Sequence, residues 1–394
     1  MKKLILLLPL VILAASIAGI FILDDSKGEN PQPVVKNNKI QKLDRQTLDF
    51  DGVIQDYFAL LSDEAVDYRN LKVYPIKASQ KYLADHEKLD NYLNLAEAVA
   101  ENKVKIMELG QRERASNPNA EYNFDPMSGS FDPTSILPDR TVSEAMEAGA
   151  SVNTLTIQNT SNEPIYIMAG DIVIGGNQDR VIAEDMIAMP NSGKIAVPVF
   201  CVEPGRWSPR ENPTQNAPVT NKEQDGIYAF TGYFNVASNS IRQTVKNEKN
   251  QSEVWAKVGD MRSRNNVETG SSTYGDLASS KSFTDARDQY MTKFAHLFDN
   301  STDVVGCIVV SGNKVLACDI FGTPELFKKQ YKVLLHSYVS DAITYGKKVS
   351  LSEEQVTNYY NRSIQKYFHK QETEQKELDA KFVHDKRVVH FTDI

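Results

Sequence analysis

The residues whose types and spacing could bind a ligand lie in one run from Gly170 to Trp207, GDIVIGGNQDRVIAEDMIAMPNSGKIAVPVFCVEPGRW. Within it, Gly175 and Gly176 could let a ligand approach the backbone closely, because glycine has no Cβ. Gln178 adds an amide, and Arg180 adds a guanidinium fork that suits a carboxylate or a phosphate. The alternative is structural: the glycines form a hairpin turn or bulge, and Arg180 pairs with a neighbouring carboxylate, from Asp171, Asp179 or Glu184.

A second candidate set closes the same run: Cys201, Glu203, Arg206 and Trp207. Strand positions 201 and 203 point to one face, so the thiol and the carboxylate could meet. Arg206 and Trp207 follow a Pro-Gly turn and could clamp an anion or stack on a ring, although a tryptophan at a strand end also serves as a core residue. A nucleophilic cysteine needs a base or a cation beside it. We therefore interpret Cys201 as a buried core residue.

The other two cysteines, Cys307 and Cys318, lie at equal distances from a predicted hairpin turn at Gly312 and Asn313. Directly opposed strand residues have Cα atoms about 4.5 to 5.5 Å apart, which a disulfide tolerates. The sequence therefore predicts a cross-strand disulfide. Two free core thiols are the alternative, because a slipped register would separate the pair.

Metal and hydrolase sites are not predicted. The histidines show no H-x-x-x-H spacing and the cysteines no C-x-x-C spacing, so we expect neither a metal nor a cofactor. The phosphate-binding P-loop, the G-x-G-x-x-G fingerprint and the G-x-S-x-G elbow are also missing. Asp319, in the phrase CDIFG, could face a pocket at the end of the hairpin or help to cap the following helix.

Short strands separated by turn residues must position these candidates. We predict them at 71–76, 104–109, 152–158, 165–168, 172–174, 180–187, 195–202 and 227–230, followed by a hairpin of 304–310 with 315–321 and a last strand at 388–391. The fold class that this pattern predicts is α+β, with a central, mostly antiparallel, sandwich- or barrel-like β-core and flanking and C-terminal helices.

Helical spacing of apolar residues predicts helices at 51–67, 93–100, 241–258 and 283–298. The clearest helix begins after Thr323, a good N-cap followed by Pro324, and ends at Gly346. Residues 352–380 carry apolar side chains on one helix face. That face should pack against the protein or bind a partner helix.

The N-terminus contains Lys2 and Lys3, then twenty uncharged, mostly apolar residues from Leu4 to Leu23. It is typical of a signal anchor at 1–23 or of a cleaved signal peptide, and both would export the rest. We expect a protein anchored in the cytoplasmic membrane and facing outward, or a secreted or periplasmic one if the segment is cleaved. The remaining divisions are a linker at 24–46, a globular domain at 47–350 with an insertion at 111–147, and a C-terminal helical extension at 351–394.

Four phrases in this order carry a resemblance: AGDIVIGGNQDRVI, IAVPVFCVEPGRW, QSEVWAKV and CDIFGTPELFKKQYKVLLHSYVSDAI. Over residues 70–346 the chain resembles the ARG and Rhodanese-Phosphatase-superfamily-associated proteins. The family's name implies association with ADP-ribosylglycohydrolase, rhodanese and phosphatase domains. The resemblance thus hints at nucleotide or ADP-ribose metabolism, although an exported chain lies away from the cytoplasmic NAD pool.

Charge restricts the class of ligand. The net charge of −8 and the pI near 5.4 argue against a nucleic-acid binder, which needs a concentrated basic face. Two hypotheses remain. The first is a binding module for a small anionic ligand or for a protein partner, which the C-terminal helix would contact. The second is an enzyme acting on a nucleotide-derived, ADP-ribose-like or phosphorylated substrate.

Overall fold

The computed structural model describes residues 57–89, 91–108, 153–206, 230–368 and 380–394. In these ranges the strands are β1 (Phe58–Leu60), β2 (Val66–Tyr68), β3 (Leu71–Ala78), β4 (Leu93–Asn94), β5 (Val104–Glu108), β6 (Thr154–Asn159), β7 (Ile165–Ile167), β8 (Asp171–Gly175), β9 (Arg180–Ile182), β10 (Met186–Ala188), β11 (Lys194–Cys201), β12 (Phe230–Val236), β13 (Val304–Ser311), β14 (Lys314–Phe321), β15 (Lys381–His384) and β16 (Arg387–Asp393).

The α-helices in the same ranges are α1 (Gln80–His86), α2 (Leu95–Ala100), α3 (Asn239–Gln243), α4 (Gln251–Arg264), α5 (Lys281–Phe294), α6 (Pro324–Thr344) and α7 (Glu353–Phe368). Short 3-10 helices occupy Ser62–Glu64 and Tyr274–Ser279, and a π-helical turn occupies Thr244–Glu248. None of these helices is long and apolar enough to cross a membrane.

The strands form three sheets. The first has the order β1-β3-β13-β14-β16-β15, with β2 also paired to β3. A six-stranded sheet has the order β12-β8-β9-β11-β6-β5, and a small sheet has the order β10-β7-β4. All pairs are antiparallel except β4 with β7. The predicted α+β class with a mostly antiparallel β-core is confirmed.

The first sheet lies between two layers of helices. Its strand β13 reads VVGCIVVS and is buried along its whole length, as expected for a β-branched run covered on both faces. Cys307 and Val309 pack with the apolar side chains of α6, whereas Ile308 and Val310 pack with those of α7. The alternation of a strand therefore divides one sequence between two cores.

Local signals explain the two helices of this sandwich. Thr323 caps α6 by accepting a hydrogen bond from the Leu326 backbone N–H at 3.2 Å, with Pro324 in the first turn, as predicted. The apolar face of α7, which includes Val356, Tyr360 and Ile364, packs against the chain's own sheet. Of the two alternatives for this face, the structure therefore has intramolecular packing.

The C-terminal residues are continuous with this sheet. The sequence set 351–394 apart as a helical extension, but β16 pairs with β14 and β15 pairs with β16. The described residues from 57 to 394 belong to one compact unit. The predicted segments 1–23 and 24–46 and the insertion 111–147 lie outside the described residues.

A predicted helix and a predicted strand differ in the structure. The described part of the predicted helix 51–67 contains β1, the 3-10 turn and the start of β2, because pairing with the buried strand β3 supplies its backbone hydrogen bonds. The predicted strand 180–187 is split, since β9 pairs with β8 and β11 whereas β10 pairs with β7. Between β9 and β10 the chain leaves the sheet and places Asp185 beside the cavity described below.

The predicted helix 241–258 is also interrupted. Lys249 adopts a left-handed conformation with φ of 48°, directly after the π-helical turn. Asn250 then caps α4 by accepting hydrogen bonds from the backbone N–H groups of Ser252 and Glu253. This interruption directs Val245, Lys246 and Lys249 toward the same cavity. Single-turn π segments often occur at functional sites.

Candidate functional site

The predicted glycine pair forms a tight turn between β8 and β9. Gly176 has φ of +51°, and a Cβ at this position would lie 2.6 Å from the ring of Phe230 and 2.7 Å from Oε1 of Glu108. Phe230 and Glu108 would both have to shift to admit a side chain. The turn alternative therefore accounts for Gly176, because only glycine fits this backbone.

Arg180 is fully buried beneath this turn. Its Nη1 donates to Oε1 of Gln178 at 3.2 Å, and its Nη2 lies 3.4 Å from Oε1 of Glu108. The sequence predicts a carboxylate neighbour, Asp171, Asp179 or Glu184, as the partner of Arg180. The structure instead pairs Arg180 with Glu108, on the distant strand β5.

Arg206 joins the two predicted sets. Its guanidinium donates to the carbonyl oxygen of Gly176 at 2.9 Å and to Oε2 of Glu203 at 2.6 Å, and it lies 3.5 Å from Asp179. The Gln178 amide donates to the Glu203 carbonyl at 2.8 Å. We call this buried group the turn cluster: Gly175, Gly176, Gln178, Arg180, Glu203 and Arg206.

The turn cluster brings together all the predicted ligand residues that the structure describes, and Trp207 lies outside the described residues. Glu108, Glu203 and Asp179 engage its two arginines. Turning such a cation toward a ligand would leave buried carboxylates unpaired, which is costly. Ligand binding by this cluster stays a prediction.

The cysteines are free and buried, and the predicted disulfide is wrong. The register shifts between Val309 and Val310, so that Leu316 is an extra residue in β14. Beyond this bulge Cys307 pairs with Asp319 and Cys318 pairs with Ile308. A slip of one residue turns a side chain to the opposite face, which separates the two thiols. Cys201 is also a core residue, and burial raises the pKa of its thiol to about 11.

A cavity of about 200 Å³ opens beside the six-stranded sheet, where the sequence predicted no site. Apolar residues form part of its wall, and four cationic side chains and two carboxylates also line it: Arg242, Lys246, Lys249, Lys381, Glu184 and Asp185. Gly170 forms another part of the wall. A Cβ there would lie 2.9 Å from Cγ of Arg242, so the glycine allows this side chain to pack against the backbone.

Beneath the cavity, four charged side chains form a buried row. Asp319 Oδ1 accepts from Nη2 of Arg242 at 3.1 Å and lies 3.2 Å from Nε2 of His390. Nδ1 of His390 lies 2.7 Å from Oδ2 of Asp185, which reaches the cavity. The Tyr338 hydroxyl donates to the other oxygen of Asp319. We call Arg242, Asp319, His390 and Asp185 the charged row.

The sheet fixes the charged row. Asp319 opposes Thr392, and Phe321 opposes His390, across β14 and β16. The Phe321 and His390 rings stack with centroids 4.3 Å apart. Arg242 comes from α3, whose N-terminus Ser238 caps by accepting from the Ile241 N–H. Three elements that are distant in sequence therefore meet at one point.

Attraction between the side chains of the charged row opposes the effect of burial on their pKa values. Burial opposes ionisation of Asp319, but Arg242 and His390 outweigh it and hold the pKa of Asp319 well below its usual range. Burial would lower the pKa of His390, but Asp185 and Asp319 raise it above the ordinary value. With His390 protonated, the row contains two cations and two anions, and its charges balance within the protein.

One donor of the row is not used. Among the described residues, no atom accepts a hydrogen bond from Nη1 of Arg242, although the residue is only 4% exposed. Buried polar groups nearly always have a partner, so such an atom calls for an explanation.

In the described ranges, no three His, Cys, Asp or Glu side chains are grouped to hold a metal ion.

Sequence reasoning missed most of this site. Asp319, a candidate for a pocket or for a helix cap, lies in the charged row, whereas Thr323 caps the helix. Arg242 and His390 lie in segments that the sequence identified only as a helix and a strand, from the spacing of apolar residues. The usable signal was an aspartate inside the apolar phrase ACDIF, because a charge in a buried strand needs partners.

Asp171, next to Gly170, should make stability depend on pH. Burial raises the pKa of Asp171 to about 7, although hydrogen bonds from the Met168 N–H and the Tyr233 hydroxyl lower it in part. The folded state therefore binds more protons than the unfolded state between pH 4 and 7, and stability falls as pH rises through this window. In urea unfolding, the free energy of unfolding of Asp171→Asn should increase relative to that of the unmodified protein, by up to about 1.4 kcal/mol for each unit that the pH rises in this window.

The exposed Asp63→Asn variant is the control for this prediction, because water solvates that carboxylate in both states. Its stability profile should run parallel to that of the unmodified protein. An Asp171→Asn profile that also runs parallel between pH 4 and 7 would show that the buried carboxyl is already ionised at pH 4.

Fold and site together define a class: an α+β domain with three mostly antiparallel sheets and a basic cavity over a buried charged row. A model of the ARPP-1 family, described as the ARG and Rhodanese-Phosphatase-superfamily-associated Protein domain, matches residues 60–392. The chain belongs to this family. The match extends past 346 and includes residues that the sequence resemblance left outside. Comparisons with curated proteins and with solved structures gave no match.

Proposed function

We propose that the protein is an exported binding module that holds a small anionic ligand in the basic cavity. The observation that carries this proposal is the cationic side of the cavity wall, to which Arg242, Lys246, Lys249 and Lys381 contribute. An oxyanion is the natural partner for a guanidinium N–H in a site with little water.

The surrounding charge supports an anion over a cation. Lys246, Lys249 and Lys381 lie in the cavity wall with Arg242. Of the two carboxylates there, Asp185 accepts from the Ala169 N–H and faces His390, each at 2.7 Å. Its charge is thereby compensated. Among the residues that line the cavity, the cationic side chains outnumber the carboxylates four to two.

Export is part of the proposal. The uncharged stretch from Leu4 to Leu23 after Lys2 and Lys3 favours a signal anchor or a signal peptide. In this proposal the ligand is encountered outside the cytoplasmic membrane. Mass determination of the N-terminus in native membranes tests it: an intact Met1 on a domain protected from external protease contradicts export.

Thermal unfolding of the full-length chain in detergent tests anion binding. Phosphate and carboxylates should raise Tm by a few degrees, since a ligand at 100 times its Kd stabilises by about 2.7 kcal/mol. The Lys249→Gln variant should bind roughly threefold to tenfold more weakly, as expected for one partly exposed charge.

Lys348→Gln is the matched control, because Lys348 is exposed and does not line the cavity. It should bind anions as the unmodified protein does. Sodium or potassium salts of bulky, poorly binding anions control for ionic strength. If no anion raises Tm at millimolar concentration, the proposed function fails. A ligand recovered chemically altered would instead favour the enzyme hypothesis.

A further inference from the structure

We propose, as an extension of the proposed function, that the cavity selects an oxyanion attached to a short apolar body, such as an organic carboxylate or a monophosphate ester. The inference rests on the cavity's being an anion site. It adds the chemical class and the size of the ligand, which follow from how cationic and apolar groups share the cavity wall.

The cationic part of the wall offers a fixed donor. Nη2 of Arg242 is held by Asp319 at 3.1 Å and lies 3.4 Å from Oγ1 of Thr392. These contacts fix the plane of the guanidinium, so the position of Nη1 is also fixed. A carboxylate or phosphate in the cavity would meet this fixed, delocalised cation as part of the wall.

A bare inorganic ion has no apolar atoms that could contact the apolar part of the wall. Pro198 and Phe200 project from one face of β11, with Ala183 beside them, because its N–H donates to the Pro198 carbonyl. Val245 and Phe382 complete this side. Contact of a ligand with these side chains removes apolar surface from water, which favours a ligand with its own apolar atoms.

The volume limits the apolar body. Pockets for drug-sized ligands usually measure about 300 to 1,000 Å³, whereas this cavity measures about 200 Å³. An acidic group with a short chain or one small ring fits. A dinucleotide or an ADP-ribose would leave most of its surface outside, so the cavity does not suit the nucleotide-derived substrates of the enzyme hypothesis.

Calorimetric titration with two homologous series tests this inference on the full-length protein. One series is acetate, butyrate, hexanoate and octanoate, and the other is inorganic phosphate with methyl, butyl and hexyl phosphate. Affinity should rise about fourfold per buried methylene group and then reach a plateau when the cavity is full. The series with the tighter head group identifies carboxylate or phosphate as the source of the oxyanion.

The Ala183→Leu variant fills the apolar part of the cavity and leaves the cations in place. It should lose the gain of affinity with chain length in both series. The same substitution at Ala59, an exposed residue of β1, is the control and should change neither series. The unmodified protein alone still tests the inference if Ala183→Leu does not fold.

The outcomes separate the two proposals. If the shortest and longest members of a series bind equally, or if ADP-ribose binds more tightly than hexanoate and hexyl phosphate, the ligand class is overturned and anion binding stands. If no member of either series binds, the proposed function and this inference both fall.

Discussion

Replacing Asp319 with asparagine should destabilise the protein by about 3 to 5 kcal/mol, because the substitution leaves Arg242 and His390 with one carboxylate instead of two. Asparagine keeps the size of the side chain, so the loss measures charge and not packing. Urea unfolding followed by circular dichroism gives the change. Since Asp319 is fully buried, salt should not screen the effect, and the loss should be similar at low and high ionic strength.

Two further variants make this prediction specific. The Asp285→Asn variant removes the exposed partner of Lys281 and should change stability little, because surface ion pairs contribute little. The double variant Arg242→Met with Asp319→Asn should recover at least half of the loss, because it removes the unpaired buried cation together with its anion. A double variant that is as unstable as the sum of both single losses would show that the two side chains act independently.

The elements predicted correctly are those with strong local signals. Thr323 and Pro324 define the start of α6 through adjacent residues alone. The hairpin of β13 and β14 likewise turns at Gly312, which has a positive φ. The predicted helix over 51–67 was wrong in its described part because helical spacing there competes with pairing to β3. Periodicity in a short apolar stretch does not distinguish these states.

The disulfide prediction shows a different limit. Counting from the turn gave the right register for the first two pairs only, since the bulge at Leu316 shifts all pairs beyond it. A bulge of this kind depends on twist and on packing against both helix layers, which no local pattern records. The physical outcome is large: Cys307 and Cys318 contribute to separate cores instead of to a covalent bond.

The site shows the same division between local and long-range information. The turn cluster could be proposed because Gly175 to Arg206 is one run, yet its ion-pair partner Glu108 is 72 residues from Arg180. The charged row is harder still to predict, because Asp185 and His390 are 205 residues apart. Residues that meet only through sheet topology have no regular spacing in the sequence. Only the presence of a charged residue in an apolar segment could have identified them.

Gly176→Ala should cost about 2 to 5 kcal/mol, the sum of a side chain forced into φ of +51° and an overpacked contact with Phe230. The added methyl also meets Oε1 of Glu108, the atom that accepts from the Asn177 N–H and faces Arg180. Displacing Glu108 would leave a buried guanidinium without its carboxylate. Chemical unfolding, with the free energy extrapolated to water, measures the loss.

Two other glycines separate the causes of this loss. Gly193 has φ of +76° but no heavy atom within 4 Å of the point where an alanine methyl group would lie, so Gly193→Ala should show only the backbone cost of about 1 to 2 kcal/mol. Gly259 lies exposed in α4 with open space around it, and Gly259→Ala should stabilise by about 0.5 to 1 kcal/mol. If Gly176→Ala cost no more than Gly193→Ala, Phe230 and Glu108 could move aside. The turn cluster would then be loose enough for Arg180 to turn toward a ligand, and the ligand site predicted from the sequence would regain its support.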